Sequence, residues 1–255
     1  MTGTDDIVSL AEDMLWSYAL VFLRVGPVIS LFPGFGESTV PVRIKLALAL
    51  AFTAILTPAI LPQLSPAGSP ILALIISETA IGLVLGIGLR VFVLALQTAG
   101  TIAGQATSLA QILGSAGVTP LPAIGHILVL GGLALAMMTG LHVQAARMIV
   151  LSYGLFPTGD LPRAGALADW GMRQVASAFA LAVTLAAPFL IVSVLYNLTL
   201  GIINRAMPQM MVVFVGAPVI TAIGIVLLLM LAPTILGIWI SALQGFVINP
   251  FGPTQ

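Results

Sequence analysis

The C-terminal part of the chain consists of two long runs without a charged residue. The first run extends from Gln174 to Ile203, and after Arg205 no Asp, Glu, Lys, Arg or His occurs as far as Gln255. A stretch of about 20 mainly apolar residues is long enough to cross a bilayer as a helix. Within lipid only helices and closed barrels satisfy every backbone polar group, and the alternating pattern of a barrel is absent from this sequence. The runs therefore predict an all-α integral membrane protein.

The composition of the chain excludes a water-soluble domain and several classes of function. Of its 255 residues, 60% are hydrophobic and 6% are charged, whereas soluble domains carry roughly 25% charged residues. The net charge is zero and no basic block is present, which argues against nucleic-acid binding. Without cysteine the chain has no disulfide and no thiolate site. We expect no cofactor and no metal.

We expect about six long, kinked hydrophobic helices. They should be arranged as hairpins in a single membrane domain (residues 1–255). Pro- and Gly-rich connectors separate most of the spans, and residues 1–13 form an acidic tail, where a cleaved signal peptide would be basic. The last spans are unusually long, so we expect breaks or kinks at Pro188, Pro218 and Pro233. The candidate spans are about Met14–Phe32, Leu46–Leu64, Ile71–Gln97, Leu121–Val150, Ala176–Ile203 and Val212–Ile248.

The distribution of cations favours an N-terminus outside the cytoplasm. In that orientation Arg43, Lys45 and Arg205 lie inside, and Arg163 and Arg173 lie outside. Because cytoplasmic loops carry an excess of Lys and Arg, the difference of one residue points to this topology.

Residues 98–125 are predicted to form a re-entrant or plug-like segment. This stretch is uncharged, rich in small residues and ends in GSAGVTPLP. Irregular backbone at membrane depth is tolerated only where it is buried in protein or lines a wet cavity. We therefore expect an assembly with an internal passage.

Glu78 is the acidic residue that stands out, because it lies well inside an apolar run. An ionisable group at such a depth costs about 2.5–3.5 kcal/mol on insertion scales and normally faces protein or water. We interpret it as a contact in a subunit interface or pore. The alternative is a neutral carboxyl group bonded to nearby backbone. A proton relay is disfavoured because no second intramembrane carboxylate is present.

Signatures of enzymes are missing from the sequence. It contains no P-loop, no GxGxxG, no HExxH and no clustered pair of carboxylates. We therefore predict that the chain is not an enzyme.

Three blocks of the sequence carry distinctive polar, Pro and Gly positions. The most specific is NLTLGIINRAMPQMMVVFVGAP, in which Arg-x-x-Pro-Gln stands between two apolar runs, and the others are LRVGPVISLFPGFGESTVPVRIKLALAL and TGLHVQAARMIVLSYGLFPTG. These blocks resemble the FliR/SctT family of type III export-gate subunits, and the resemblance covers nearly the whole chain. The matching positions are Asn197, Leu200, Gly201, Asn204, Arg205, Pro208, Gln209, Phe214, Gly216 and Pro218, with Arg24, Pro33, Pro41, Arg43, Lys45, Glu78, Gly82, Gly140, His142, Ser152, Pro157 and Gly159 further upstream.

The resemblance implies a function, a location and partners. It implies a non-enzymatic core subunit of the flagellar export gate in the bacterial inner membrane. There it would assemble with FliP, FliQ, FlhB and FlhA into a channel for unfolded flagellar proteins. It further implies a base hairpin at Asn204, Arg205, Pro208 and Gln209, with Pro208 enforcing the turn. The implied channel plug comprises Gly114, Ser115, Ala116, Gly117, Val118, Thr119 and Pro120, although the Asp-Pro that family members often carry there is absent.

Three alternatives remain open. The injectisome paralogue of the same family is poorly separated by sequence. A stand-alone small-molecule permease would need more intramembrane polar groups than Glu78 and an inverted repeat, which the sequence does not show. An intramembrane enzyme is disfavoured by the missing catalytic clusters.

Overall fold

The computed structural model describes residues 2–64, 70–107, 123–206 and 212–252. This part of the chain contains seven α-helices, one short 3-10 helix (Leu61–Gln63) and no strand, which confirms the all-α class. The helices are α1 (Thr2–Leu31), α2 (Val42–Ile60), α3 (Ile71–Thr107), α4 (Ala123–Met138), α5 (Leu141–Leu155), α6 (Ala164–Ala206) and α7 (Val212–Ile248).

Five of these helices are long and apolar enough to cross a membrane, and α4 with α5 can be counted as a sixth, broken span. The five are α1 from Ala11 onward, α2 with the 3-10 turn, α3, α6, and α7 from Val219 onward. Their number and order agree with the six candidate spans. The predicted acidic tail differs, because residues 2–13 belong to α1.

The fourth predicted span is interrupted where the sequence analysis expected continuity. It ends as α4 at Met138 and resumes as α5 at Leu141. Gly140 has a φ of +75°, a value that side chains with a Cβ rarely adopt. The Gly140 backbone N–H donates to the Met137 carbonyl at 3.1 Å, which closes the turn.

Of the expected breaks or kinks at prolines, the breaks do not occur. α6 continues through Pro188, and α7 continues through Pro218 and Pro233. A proline removes one backbone hydrogen bond of the helix. A break would free several more backbone groups, and lipid offers no water to bind them. The helix therefore continues through the proline and keeps its other hydrogen bonds.

The predicted irregular segment at 98–125 is partly wrong. Residues 98–107 continue α3 as regular helix, and Ala123 begins α4. The proposed plug, Gly114 to Pro120, lies outside the described residues, as do Pro208 and Gln209 of the base hairpin.

The chain divides into two compact units. The first comprises residues 1–91, 137–174 and 244–255, and the second comprises residues 92–136 and 175–243. In the second unit, the fully buried Trp239 donates from Nε1 to the Phe92 carbonyl at 2.8 Å. Also in the second unit, Ser193 of α6 donates to the Ala106 carbonyl of α3 at 2.6 Å. Each unit is thus held by apolar packing with a few polar contacts between its helices.

Candidate functional site

A buried ion pair joins α1 to α3 in the first unit. Arg24 Nε lies 2.8 Å from Glu78 Oε2, and Arg24 Nη2 donates to Glu78 Oε1 at 3.0 Å. Both side chains are 0% exposed. The guanidinium group therefore grips the carboxylate with two parallel hydrogen bonds, the geometry that gives arginine–carboxylate pairs both strength and direction.

Helix α5 and the residue after it complete the surroundings of the guanidinium group. Arg24 Nη1 donates to Ser152 Oγ at 3.1 Å, and Nη2 donates to the Phe156 carbonyl at 3.0 Å. The Tyr153 ring lies over the group, with its centroid 3.6 Å from Arg24 Cζ. Arg24, Glu78, Ser152, Tyr153 and Phe156 form what we call the buried charge cluster. It ties three helices together at one point.

Close contact between α1 and α3 brings the two charges together. A Cβ atom at Gly82 would lie 2.3 Å from the Arg24 carbonyl oxygen, and one at Gly86 would lie 3.0 Å from the Pro27 oxygen. Glu78, Gly82 and Gly86 are spaced by four residues and therefore share a face of α3. The GxxxG motif at Gly82 and Gly86 thus packs against α1 of the same chain.

The structure gives Glu78 a partner that the sequence analysis missed. Glu78 was expected to be a contact in a subunit interface or pore, or else to be neutral and bonded to backbone. In the structure it is buried within the first unit with Arg24 as its partner. The signal was available, because Arg24 is the one cation in the first predicted span and Glu78 the one anion in the third. Opposite charges in separate apolar spans are candidates for pairing.

A second ion pair fastens the loop between α1 and α2 to α3. Glu37 Oε1 lies 2.5 Å from Arg90 Nη1, with both side chains partly exposed. Lys45 Nζ donates to the Gly36 carbonyl of the same loop at 2.9 Å. Gly82 lies against Arg24 and Gly86 lies against Pro27, so the contacts advance along both helices together and α1 and α3 run in the same direction.

Aromatic side chains hold the segment after α7 within the first unit. Trp170 Nε1 donates to the Pro250 carbonyl at 2.8 Å. The Phe251 ring lies between two others, with centroids 4.9 Å from Phe156 and 5.7 Å from Trp170. Since the Phe156 carbonyl also accepts from Arg24, this aromatic cluster adjoins the buried charge cluster.

The described residues of the predicted base hairpin lie at the end of α6. Asn204 and Arg205 are exposed and belong to its last turn. A cation in the last turn of a helix is stabilised by the partial negative charge of the free carbonyl groups there. Nearer the middle of α6, Asn197 Nδ2 donates to Ser193 Oγ at 3.3 Å.

No metal site is formed by the part of the chain that the structure describes. No group of three or more His, Asp or Glu side chains there could hold a metal ion. Both oxygens of Glu78 are bound by Arg24, so this carboxylate is occupied as a structural partner.

Known proteins match this chain over most of its length. A family model described as bacterial export proteins, family 1, matches residues 15–246. Flagellar biosynthetic protein FliR of Caulobacter vibrioides is 35% identical over 226 residues, which cover 87% of this chain and 90% of that protein. The Escherichia coli protein of the same name is 29% identical over 226 residues, covering 86% and 85%. That of Aquifex aeolicus is 26% identical over 228 residues, covering 88% of each chain.

The matched range includes all five residues of the buried charge cluster and Arg205. The five helices that are long and apolar enough to cross a membrane indicate a multi-pass membrane protein. On the breadth of the family match and the identity to the Caulobacter protein, the chain belongs to family 1 of the bacterial export proteins.

Proposed function

We propose that this chain is a non-enzymatic core subunit of the flagellar type III protein export gate. It forms, with FliP, FliQ, FlhB and FlhA in the bacterial inner membrane, a channel for unfolded flagellar proteins. Membership of the export family and the name carried by its relatives support this function. The proposal assigns no catalytic step to the chain, which positions helices around a passage.

The length of α6 is the observation that carries the proposal of a multi-subunit assembly. The uncharged part of α6, Gln174 to Ile203, is roughly 45 Å long at about 1.5 Å per residue, against a hydrocarbon core of about 30 Å. To bury this whole run in the hydrocarbon core, the helix would have to tilt from the bilayer normal by more than the usual range of about 0–40°. Large apolar side chains remain exposed along it, including Phe179, Ile191 and Leu198. Helices of partner subunits would cover the apolar surface that lipid does not reach.

Arg205 is our proposed fastening point at the base of the assembly. It is exposed in the last turn of α6 and follows a run of apolar residues. A cationic side chain at such a position can reach lipid headgroups or polar loops of a partner. We extend this role to Asn204, Pro208 and Gln209, the last two on the basis of the sequence.

The segment from Gly114 to Pro120 is our proposed channel plug. The argument rests on sequence: small residues allow close backbone packing in a narrow lumen, and Pro120 and Pro122 limit its freedom. No charged residue occurs between Gly114 and Pro122. Packing alone would therefore close the channel, and an arriving substrate could displace it.

Deleting the gene in its own host and complementing it with the full chain tests this function. The proposal predicts that flagellar proteins are still synthesised but no longer exported, and that motility is lost and restored by complementation. Lost secretion of virulence effectors with normal motility would instead identify the injectisome paralogue. Solute uptake by a purified, lone chain would support the permease.

A further inference from the structure

The interface between α1 and α3 combines two glycines that repeat with the helical turn and an ion pair that occurs once. Gly82 and Gly86 are one helical turn apart, and both lie under the backbone of α1, at Arg24 and Pro27 respectively. A slip of α1 by one turn, about 5.4 Å, would carry the Arg24 backbone from Gly82 to Gly86. Small residues would still permit close approach. The glycines alone therefore allow more than one register.

The buried charge cluster does not repeat in this way. Glu78 is the one carboxylate on α3, and its two oxygens accept from two nitrogens of Arg24 in a fixed fork. A slip of one turn would pull the carboxylate out of that fork. Both charges would then be buried without their partner, which is the costly arrangement for an ion pair.

Helix α5 prevents the Arg24 side chain from following a displaced Glu78. Ser152 and the Phe156 carbonyl bind the other edges of the guanidinium group, and the Tyr153 ring covers its face. The group is therefore held from two directions. The guanidinium group can therefore keep its contacts with α5 and its contacts with Glu78 of α3 only in one relative position of the helices.

We propose that the buried charge cluster selects the register of α1 along α3, and that Arg24 and Glu78 are positioning residues whose role is this selection. Single polar contacts in apolar helix interfaces are known to specify register in this way. The same register brings Glu37 to Arg90, so it also determines where the loop between α1 and α2 is attached. The inference is independent of the proposed export function.

The absence of cysteine makes the register directly measurable. Two cysteine pairs are introduced for spin labelling in the full-length chain: Leu15→Cys with Leu83→Cys, and Ser30→Cys with Leu72→Cys. All four positions are exposed and lie on α1 and α3. Because the helices run in the same direction, the first pair is offset one way along the axis and the second pair the other way. A slip therefore lengthens one distance and shortens the other.

The test variant replaces the ion pair by apolar residues of similar volume, Arg24→Met with Glu78→Met. The native chain is expected to give one narrow electron–electron distance distribution for each label pair. The variant is expected to give a second peak for each, displaced in opposite directions by up to about 5 Å, one helical turn. The matched control, Glu37→Gln with Arg90→Gln, removes the partly exposed pair and should leave both distributions at their native positions.

Unchanged narrow distributions in a folded Met variant would overturn the proposal, and so would an equal displacement in the control. If the Met variant does not fold, Arg24→Leu with Glu78→Leu takes its place, because leucine likewise removes every polar contact between the two side chains. Native distances in that variant would also overturn it. Failure of both uncharged variants to fold would contradict it too, since the pair would then be required for folding and not for choosing a register.

Discussion

Arg24 and Glu78 are 54 residues apart in sequence, yet their side chains meet through two hydrogen bonds at a site where neither is exposed. The pair connects the first membrane-spanning helix to the third. In a chain with only 6% charged residues, these two charges are buried together, so the loss of one would leave the other buried without a partner.

Glu78→Ala is expected to destabilise the chain strongly, whereas Glu78→Gln should destabilise it less and keep the function of the chain that folds. Removing one partner leaves the Arg24 charge buried and unpaired, which typically costs about 3–5 kcal/mol. Glutamine keeps an oxygen acceptor for Arg24 and cannot titrate. The amount of folded chain in the membrane and flagellar protein secretion are the measurements. An inactive Glu78→Gln variant that still assembles would point to proton coupling and against a positioning role.

Gly82→Ala is expected to separate α1 from α3. The new Cβ would lie 2.3 Å from the Arg24 carbonyl oxygen, so backbone has to move. Gly154→Ala is the matched control, because no atom lies within 4 Å of a Cβ at that position of α5. Alanine is favoured over glycine by about 1 kcal/mol in helices. The thermal midpoint of the purified chain should fall for Gly82→Ala and stay level or rise for Gly154→Ala; equal midpoints would refute the close contact.

Trp170→Phe and Trp170→Ala separate the two contributions of this side chain. Phenylalanine keeps an aromatic neighbour for Phe251 but loses the hydrogen bond to the Pro250 carbonyl, a change worth about 1 kcal/mol. Alanine loses both and should cost clearly more. Protease cleavage after Phe251 reports detachment of this segment. Resistance of Trp170→Ala equal to that of the native chain would show that the aromatic cluster does not hold it.

Arg205→Ala is expected to weaken assembly with the other gate subunits. If the role of Arg205 is only to bind lipid phosphate as a point charge, Arg205→Lys should restore assembly, whereas planar recognition by a partner would not accept lysine. Co-purification and motility are scored for both variants. Normal results for both would remove Arg205 from the proposed base.

Deleting Ser115 to Thr119 is expected to leave the complex assembled but make the membrane leak small ions. In our proposal the plug closes the channel by packing alone, because it contains no charged residue. Its deletion should therefore open the channel and break no ion pair. Conductance or uptake of small solutes in cells that express the deletion with its partners is the measurement. An assembled complex that stays tight would place the seal elsewhere.

The fold was predictable where composition alone decides it. α7 has the bounds that the sequence analysis predicted, Val212 to Ile248, because an uncharged apolar run in lipid can only be helical. α3 was predicted ten residues too short, since small and polar residues such as those from Thr98 to Thr107 have no strong helix signal of their own. The break at Gly140 was missed because a positive φ is a property of backbone packing, which hydropathy does not record.

The site was predictable only in part. Glu78 was identified from its depth in an apolar run. Arg24 was a candidate partner as the one cation in the first span, but the sequence does not show that these two helices, 54 residues apart, are neighbours. Ser152 and the Phe156 carbonyl could not have been found from spacing, since one is a small hydroxyl and the other is backbone.

The most direct test of the proposed function is the native mass of the chain purified in mild detergent after co-expression with the other export-gate subunits. The account predicts a stable heteromeric complex in which this chain is present with FliP and FliQ, and in which Glu78→Ala lowers the yield of the complex. The account would be contradicted if the chain is as well folded as expected of the native protein but purifies alone, with none of these subunits bound.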